Sequence, residues 1–95
     1  MTTKKRKYGH VSVTGKLFSL LTGTAFMMFV NTKLEERAIM VGIKDLIGYD
    51  LQEEGKTRTF ILKVRDSSGI KLNLTGVSDD DIAYVIEDIE EALEK

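Results

Sequence analysis

Few side chains in this sequence are of the kinds that catalyse reactions or bind metals. The chain has one histidine, His10, and no cysteine, so it lacks the pairs that nucleophilic catalysis and histidine or thiolate metal sites require. No two carboxylates are placed in one cleft by their spacing, which leaves acid–base catalysis without support. We expect His10 to be a surface or sheet-edge residue. The sequence therefore predicts a protein that is not an enzyme, with no metal site and no cofactor.

Two short motifs resemble a phosphate-binding site and a cation-binding site, but neither has the full set of residues or the geometry that such a site needs. Gly55, Lys56 and Thr57 match the end of a phosphate-binding loop, but the glycine that this loop needs five residues earlier is Asp50. Three consecutive aspartates at 79–81 could offer oxygen ligands to a divalent cation, although consecutive side chains project in different directions. We expect these aspartates to lie in the first turn of a helix, where the helix dipole favours negative charge.

Charge is distributed unevenly along the chain, although the formal net charge is only -1. Residues 79–95 carry eight acids and one lysine, whereas four consecutive cations stand near the N-terminus: Lys4, Lys5, Arg6 and Lys7. We expect residues 1–7 to form a flexible basic tail and residues 8–95 to form a single domain. The tail could contact nucleic-acid phosphates, an anionic membrane surface or the acidic helix of a neighbouring subunit, but a solubilising role is the favoured interpretation.

An uncharged run at residues 17–32 follows this basic segment, in the order that signal peptides show. Polar residues and a glycine interrupt the run, no small-residue cleavage site follows it, and it is shorter than the roughly 20 residues of a spanning helix. We therefore expect neither a signal peptide nor a membrane anchor. The absence of cysteine agrees with a reducing, cytoplasmic setting.

Short apolar runs separated by turn residues fill the chain between Tyr8 and Leu74, a pattern typical of β-structure. Alternation predicts that Val11 and Val13 share one face of a first strand, and that Ile47, Tyr49 and Leu51 share one face of a later one. Residues 16–22 fit either a strand or one or two helical turns, and we favour a strand. The other predicted strands cover residues 25–31, 37–43, 59–64 and 70–74.

The apolar period changes from two residues to 3.6 near the C-terminus. One stripe of an amphipathic helix is formed by Ile82, Val85, Ile86, Ile89 and Leu93. Ser78 is a favoured N-cap residue, and Val77 before it can pack against Ile82 as a hydrophobic staple.

About six strands followed by one amphipathic helix cannot hide every apolar face in a single open sheet. We therefore predict an α+β fold in which an antiparallel strand meander curls into a sandwich or a small, partly open barrel, closed by the C-terminal helix. The stretch AIMVGIKDLIGYDLQEEGKTRTFILKVRDSSGIKLNLTGVSDDDIAYVIEDIEEAL resembles the pleckstrin-homology-like superfold in its small bacterial, archaeal or phage form. The resemblance covers residues 24–94, is one of pattern without a diagnostic motif, and implies seven strands before the helix.

Lipid-binding members of that superfold carry a basic signature in the first hairpin, and this chain lacks it. The only neighbouring charge is Lys16. The resemblance therefore implies an interaction module without indicating a phosphoinositide site.

The stretch GTAFMMFVN at residues 23–31 is apolar on both faces, whereas a strand with one solvated face should alternate. Its second face would carry Met27 and Phe29, and the next strand adds Ala38 and Met40 on the corresponding face. These strands are either central, with both faces covered by the chain itself, or covered on the second face by another copy or a partner. We favour the latter and predict an interface at Met27, Phe29 and Met40.

Together, these patterns predict a non-catalytic interaction module that forms a homo-oligomer. It would bind a protein segment, or an anionic lipid surface with the help of the basic tail. A small nucleic-acid-associated regulator of phage or plasmid type is the alternative, although the domain is acidic and has no stripe of alternating aromatic and basic residues.

Overall fold

Residues 9–94 are described by the computed structural model, and they form seven strands, one short 3-10 helix at Ile43–Asp45 and one α-helix. The strands are β1 (His10–Val11), β2 (Leu17–Leu21), β3 (Ala25–Asn31), β4 (Glu36–Gly42), β5 (Leu46–Glu54), β6 (Thr57–Val64) and β7 (Ile70–Asn73), and the helix is α1 (Asp79–Leu93). The sequence predicted six of these strands clearly. The seventh is β2, the ambiguous segment, which is a strand as favoured.

The strands form two antiparallel sheets in which sequence neighbours are always spatial neighbours. The first sheet has the order β1-β2-β3-β4 and the second has the order β5-β6-β7, with the 3-10 helix leading from one to the other. The sheets are not closed into a barrel, and α1 packs against β1, β2 and β5. The predicted α+β fold, an antiparallel meander closed by a C-terminal helix, is confirmed in its sandwich form.

The core lies between the two sheets and is filled from alternate strand positions. Phe26, Met28 and Val30 of β3 point into it, and Phe60 and Leu62 of β6 face them from the second sheet. The helix adds Ile82, Val85, Ile89 and Ala92. Because β3 and β6 are the inner strands of their sheets, their inward residues are almost wholly removed from water.

The helix begins as predicted, at Ser78. The Ser78 hydroxyl accepts a hydrogen bond from the backbone N–H of Asp81 over 3.2 Å, which satisfies one of the free amides of the first turn. The predicted stripe is correct for Ile82, Val85 and Ile89, but Leu93 is 40% exposed. The face that α1 presents to the sheets instead includes Asp81 and Asp88, both of them buried.

The first strand is shorter than predicted, and the predicted face of a later strand was wrong at one residue. Only Val11 of the pair Val11 and Val13 lies in β1, because the chain turns at Val13; both are exposed, and His10 and Ser12 are the buried residues of this segment. Ile47 was expected on the same face as Tyr49 and Leu51, yet it is 55% exposed, because the pairing of β5 with β6 shifts register between Leu46 and Gly48. Such a bulge moves one residue out of the alternating pattern.

Candidate interaction surface

The outer face of the first sheet, on the side away from the core, is apolar across all four strands. Register places its side chains in two rows. One row runs Val11, Phe18, Phe29 and Ala38 from β1 to β4, and the other runs Leu20, Met27 and Met40 from β2 to β4. We call these seven residues the apolar face.

All three residues predicted for the interface belong to this face. Met27 lies directly opposite Met40 in the β3–β4 pair, and Phe29 is in the adjacent row. Phe29 is 39% exposed and Met40 is 69% exposed, while Met27 is half-buried among its neighbours. The second face of β3 and β4 is therefore not covered by any other part of residues 9–94, and α1 lies on the opposite side of this sheet, against His10 and Ser19.

The middle of the apolar face contains one aromatic contact and, beside it, one hollow. The Phe18 and Phe29 rings lie side by side, with centroids 5.2 Å apart and planes tilted by 54°. This tilted arrangement is one that aromatic pairs favour. Next to them, an open hollow of about 330 Å³ lies at the end of the β3–β4 hairpin, lined by Phe29, Val30, Asn31, Glu36, Arg37 and Ala38.

The second sheet has an outer face of a different character. Register and alternation place Thr59, Lys63 and Lys71 there, together with Asp50 and Gln52 of β5, and one apolar residue, the half-buried Ile61, between Asp50 and Lys71. This is the alternation of apolar inner and polar outer residues that a sheet facing water normally shows. The two outer faces of one small domain therefore differ, and only the first is apolar.

A buried polar network joins the β1 segment to the start of α1. The Ser12 hydroxyl donates to Asp81 Oδ2 over 2.5 Å, and His10 Nε2 lies 3.1 Å from Asp81 Oδ1. The His10 ring stacks on Tyr84, with centroids 4.8 Å apart. His10, Ser12 and Asp81 are each less than 10% exposed. His10 lies on β1, which is an edge strand of the first sheet as one of the two expectations had it, but its side chain is buried and not at the surface.

Hydrogen bonding keeps Asp81 ionised. The Ser12 hydroxyl makes the largest contribution to lowering the pKa of this carboxyl below its ordinary 3.8, with help from His10 and Ser78, and these bonds outweigh the burial that acts in the opposite direction. An ionised carboxylate only accepts hydrogen bonds, so His10 Nε2 must carry the proton that it shares. Thr14 in turn donates to Ser12 over 2.8 Å, because the Ser12 proton is already committed to Asp81.

A second polar contact repeats this arrangement, with both partners seven residues further along the chain. The Ser19 hydroxyl donates to Asp88 Oδ2 over 2.6 Å, and both residues are about 1% exposed. Among residues 9–94, no buried side-chain nitrogen or oxygen lacks a hydrogen-bond partner. We interpret these contacts as structural, since buried hydrogen bonds of this kind fix a helix in one position on its sheet.

The spacing of the polar residues in the sequence could have indicated this network. Asp81 and Asp88 occur at the same helical spacing as Val85 and Ala92, and Ser12 and Ser19 are also seven residues apart. Polar residues that keep the period of an apolar stripe are candidates for buried pairs.

The charged residues singled out in the sequence have the following positions. Lys4, Lys5, Arg6 and Lys7 lie outside the described residues. Asp79 pairs with Arg58, and Asp80 is exposed at the start of α1. Within residues 9–94, no three histidine, aspartate or glutamate side chains come together as a metal site, and no helix has the length and apolarity to cross a membrane.

Comparison with known proteins finds no relative. No protein-family model, no curated protein and no solved structure matches this chain.

Proposed function

We propose that this protein is a non-catalytic interaction module of the pleckstrin-homology-like superfold, which self-associates through its apolar face. Seven strands in two sheets followed by one helix support the superfold assignment, because that is the element order the resemblance implies. The absence of cysteine supports a cytoplasmic setting.

The observation that carries the proposal is the difference between the two outer sheet faces. Both sheets bury one face in the same core and would be expected to present polar residues on the other. The second sheet does so, but the first presents two rows of apolar side chains that cross its strands. Contiguous apolar surface of this kind marks interaction sites on folded proteins, because leaving it in water costs free energy that a partner removes.

The arrangement of the polar groups supports a binding role over a catalytic one. The one histidine is buried in a hydrogen-bonded pair with Asp81, and the buried carboxylates of Asp81 and Asp88 are engaged with serine hydroxyls. The apolar face itself contains no titratable side chain. Binding through it would be driven by burial of apolar surface and would need no charged contact.

The test is the mass of the protein in solution, measured by size-exclusion chromatography with light scattering. We expect the wild-type mass to exceed that of one chain and Phe29→Glu to reduce it to one chain, because the new carboxylate would be buried without a partner. Thr59→Glu is the matched control, since it places the same charge on the outer face of the second sheet and should leave the mass unchanged.

Two results would overturn this proposal. One is a folded Phe29→Glu variant, verified by circular dichroism, whose mass equals that of the wild type. The other is a wild-type chain that stays a monomer at the highest soluble concentration.

A further inference from the structure

We infer that one side of α1 binds the basic tail of the same chain through the cations at residues 4–7. This side of the helix, which we call the acidic flank, consists of Asp80, Tyr84, Glu87 and Glu91. It is separate from the apolar face, so the inference goes beyond the proposed function. The basic tail lies outside the described residues, and the path of the chain into β1 indicates where it binds.

The acidic flank lies on the side of α1 that is next to β1. Spacings of four, three and four residues place its members in one stripe along the helix. Tyr84 stacks on His10 of β1, which fixes the side on which this stripe lies. The opposite side of the helix contacts β5, where the Tyr49 hydroxyl donates to Glu90. The chain therefore enters β1 beside the acidic flank and not beside the other acids of α1.

The direction of the chain at β1 leads toward the C-terminal half of the helix. His10 contacts Asp81 in the first turn of α1. Gly9, the residue before it, lies against the backbone of Ser19, and the Ser19 hydroxyl donates to Asp88 about two turns further on. Followed backward from His10, the chain thus moves along α1 and leaves the described residues near the level of Asp88.

The lengths of the tail and of the flank agree. The four cations are two to five residues before Gly9, which allows a backbone separation of up to about 7–18 Å. Along the helix axis, Glu87 and Glu91 lie about 4.5 and 10.5 Å beyond Tyr84. Both carboxylates are therefore within reach of the basic tail.

Charge complementarity identifies the tail as the occupant. Glu87 is exposed and Glu91 is half-buried, and within residues 9–94 no cation forms an ion pair with either of them. The last turn of α1 has no basic side chain, although the negative end of the helix dipole favours cations there. Four consecutive cations that enter beside this surface provide the opposite charge.

Tethering favours the tail of the same chain over the tail of another copy. A segment joined to the flank by a short linker has an effective concentration in the millimolar range, well above that of a second chain in dilute solution. Single surface ion pairs are weak and are screened by salt, so the contact should form at low ionic strength and open at high ionic strength. While it is formed, the cations are not available to anionic partners.

Trypsin digestion measures the contact, because trypsin cleaves after lysine and arginine only where the chain is accessible. At about 20 mM sodium chloride, Glu87→Gln/Glu91→Gln should lose its basic tail at least about threefold faster than the wild type. Glu36→Gln/Glu54→Gln is the matched control, since it removes two exposed carboxylates from β4 and β5 and has the same net charge. It should be cleaved at the wild-type rate. At about 500 mM, all three proteins should be cleaved at the faster rate.

Cross-linking identifies the chain to which the bound tail belongs. A carbodiimide joins lysine amines to carboxylates that they contact. In a mixture of unlabelled and ¹⁵N-labelled protein, we expect the cross-links from residues 4–7 to Glu87 or Glu91 to join segments of one isotope. Cross-links between labelled and unlabelled segments would overturn binding within one chain in favour of a neighbouring subunit.

Two further results would overturn the inference. One is an equal cleavage rate, at low salt, for the wild type and a Glu87→Gln/Glu91→Gln variant that circular dichroism shows to be folded. The other is equal sedimentation of this variant and its control with vesicles of phosphatidylcholine and phosphatidylserine, because a bound tail must be released before it can contact an anionic surface. The proposed function is tested separately, by the light-scattering mass of Phe29→Glu.

Discussion

At the scale of single residues, the most informative side chain is Asp81. It is 3% exposed, remains ionised and accepts hydrogen bonds from both Ser12 and His10, which lie about seventy residues away in the chain. A buried carboxylate is costly unless its oxygens are satisfied. Asp81 therefore holds the β1 segment and the start of α1 together through buried hydrogen bonds.

Replacing this carboxylate tests that role. We expect Asp81→Asn to lower the free energy of unfolding by about 2–3 kcal/mol, because charged hydrogen bonds are replaced by weaker neutral ones in a buried site. Asp80→Asn changes an exposed neighbour in the same helical turn and should stay within about 0.5 kcal/mol of the wild type. Urea unfolding followed by circular dichroism measures both, and equal losses would contradict the assignment.

The same pair of proteins gives the pH dependence. The pKa of Asp81 is lower in the folded protein than its ordinary 3.8, so the unfolded chain takes up the proton first as the medium is acidified. The contribution of Asp81 to stability is therefore complete above about pH 4–5 and is lost as the pH falls through the lowered pKa. Between about pH 5 and pH 2, stability should fall less steeply for Asp81→Asn than for the wild type.

At the scale of elements, β1 is the smallest strand and depends most on its surroundings. It has two residues, pairs only with β2, and is held from the other side by α1. Its approach to β2 requires a glycine at position 9: a Cβ there would lie 2.5 Å from the Ser19 carbonyl oxygen, and φ is +108°. Only glycine adopts this positive φ without strain and also avoids a clash with the Ser19 carbonyl oxygen, so Gly9 allows β1 to pair closely with β2.

Two glycine substitutions distinguish the energetic cost of a steric clash from the cost of a positive φ. Gly15 also has a positive φ, +76°, but no atom lies within 4 Å of the site of its Cβ. We expect Gly15→Ala to cost about 1–2 kcal/mol, from the backbone alone, and Gly9→Ala to cost at least about 2 kcal/mol more, from the added clash. Thermal unfolding in parallel provides the comparison. Similar melting temperatures would show that the close approach of β1 to β2 does not constrain the fold.

At the scale of the whole molecule, the two sheets of the sandwich differ in the residues that their outer faces present. The second sheet is bounded by a polar outer face, whereas the first sheet carries the apolar face on strands that also supply much of the core. The acids of the C-terminal helix are not part of either row, and the basic residues 4–7 lie outside the described residues. Association through this face should therefore be insensitive to the charges that dominate the two ends of the chain.

Salt and deletion test that independence. Raising sodium chloride from about 50 mM to about 500 mM should leave the light-scattering mass unchanged, because salt screens charges and does not weaken burial of apolar surface. Deleting residues 1–7 should also leave it unchanged. A mass that falls in high salt, and falls equally on deletion, would indicate instead that the basic tail binds the acidic helix of a neighbouring subunit.

What the sequence determined by itself is local and periodic. The apolar stripe of 3.6 residues and Ser78 located the helix, and alternation separated the two faces of β3, because a side chain's direction follows from the backbone period. The double apolar pattern of β3 and β4 was also sufficient to assign Met27, Phe29 and Met40 to one sheet face.

Only the tertiary structure decided where polar residues are buried and which apolar face stays open. Period alone could not show that His10, Ser12, Asp81 and Asp88 face inward, since burial of a polar group depends on a partner that lies about seventy residues away. Nor could it show that α1 covers the inner side of the first sheet and leaves the outer side free. A pattern along one strand records that two faces are apolar, and the packing of other elements determines which of them water reaches.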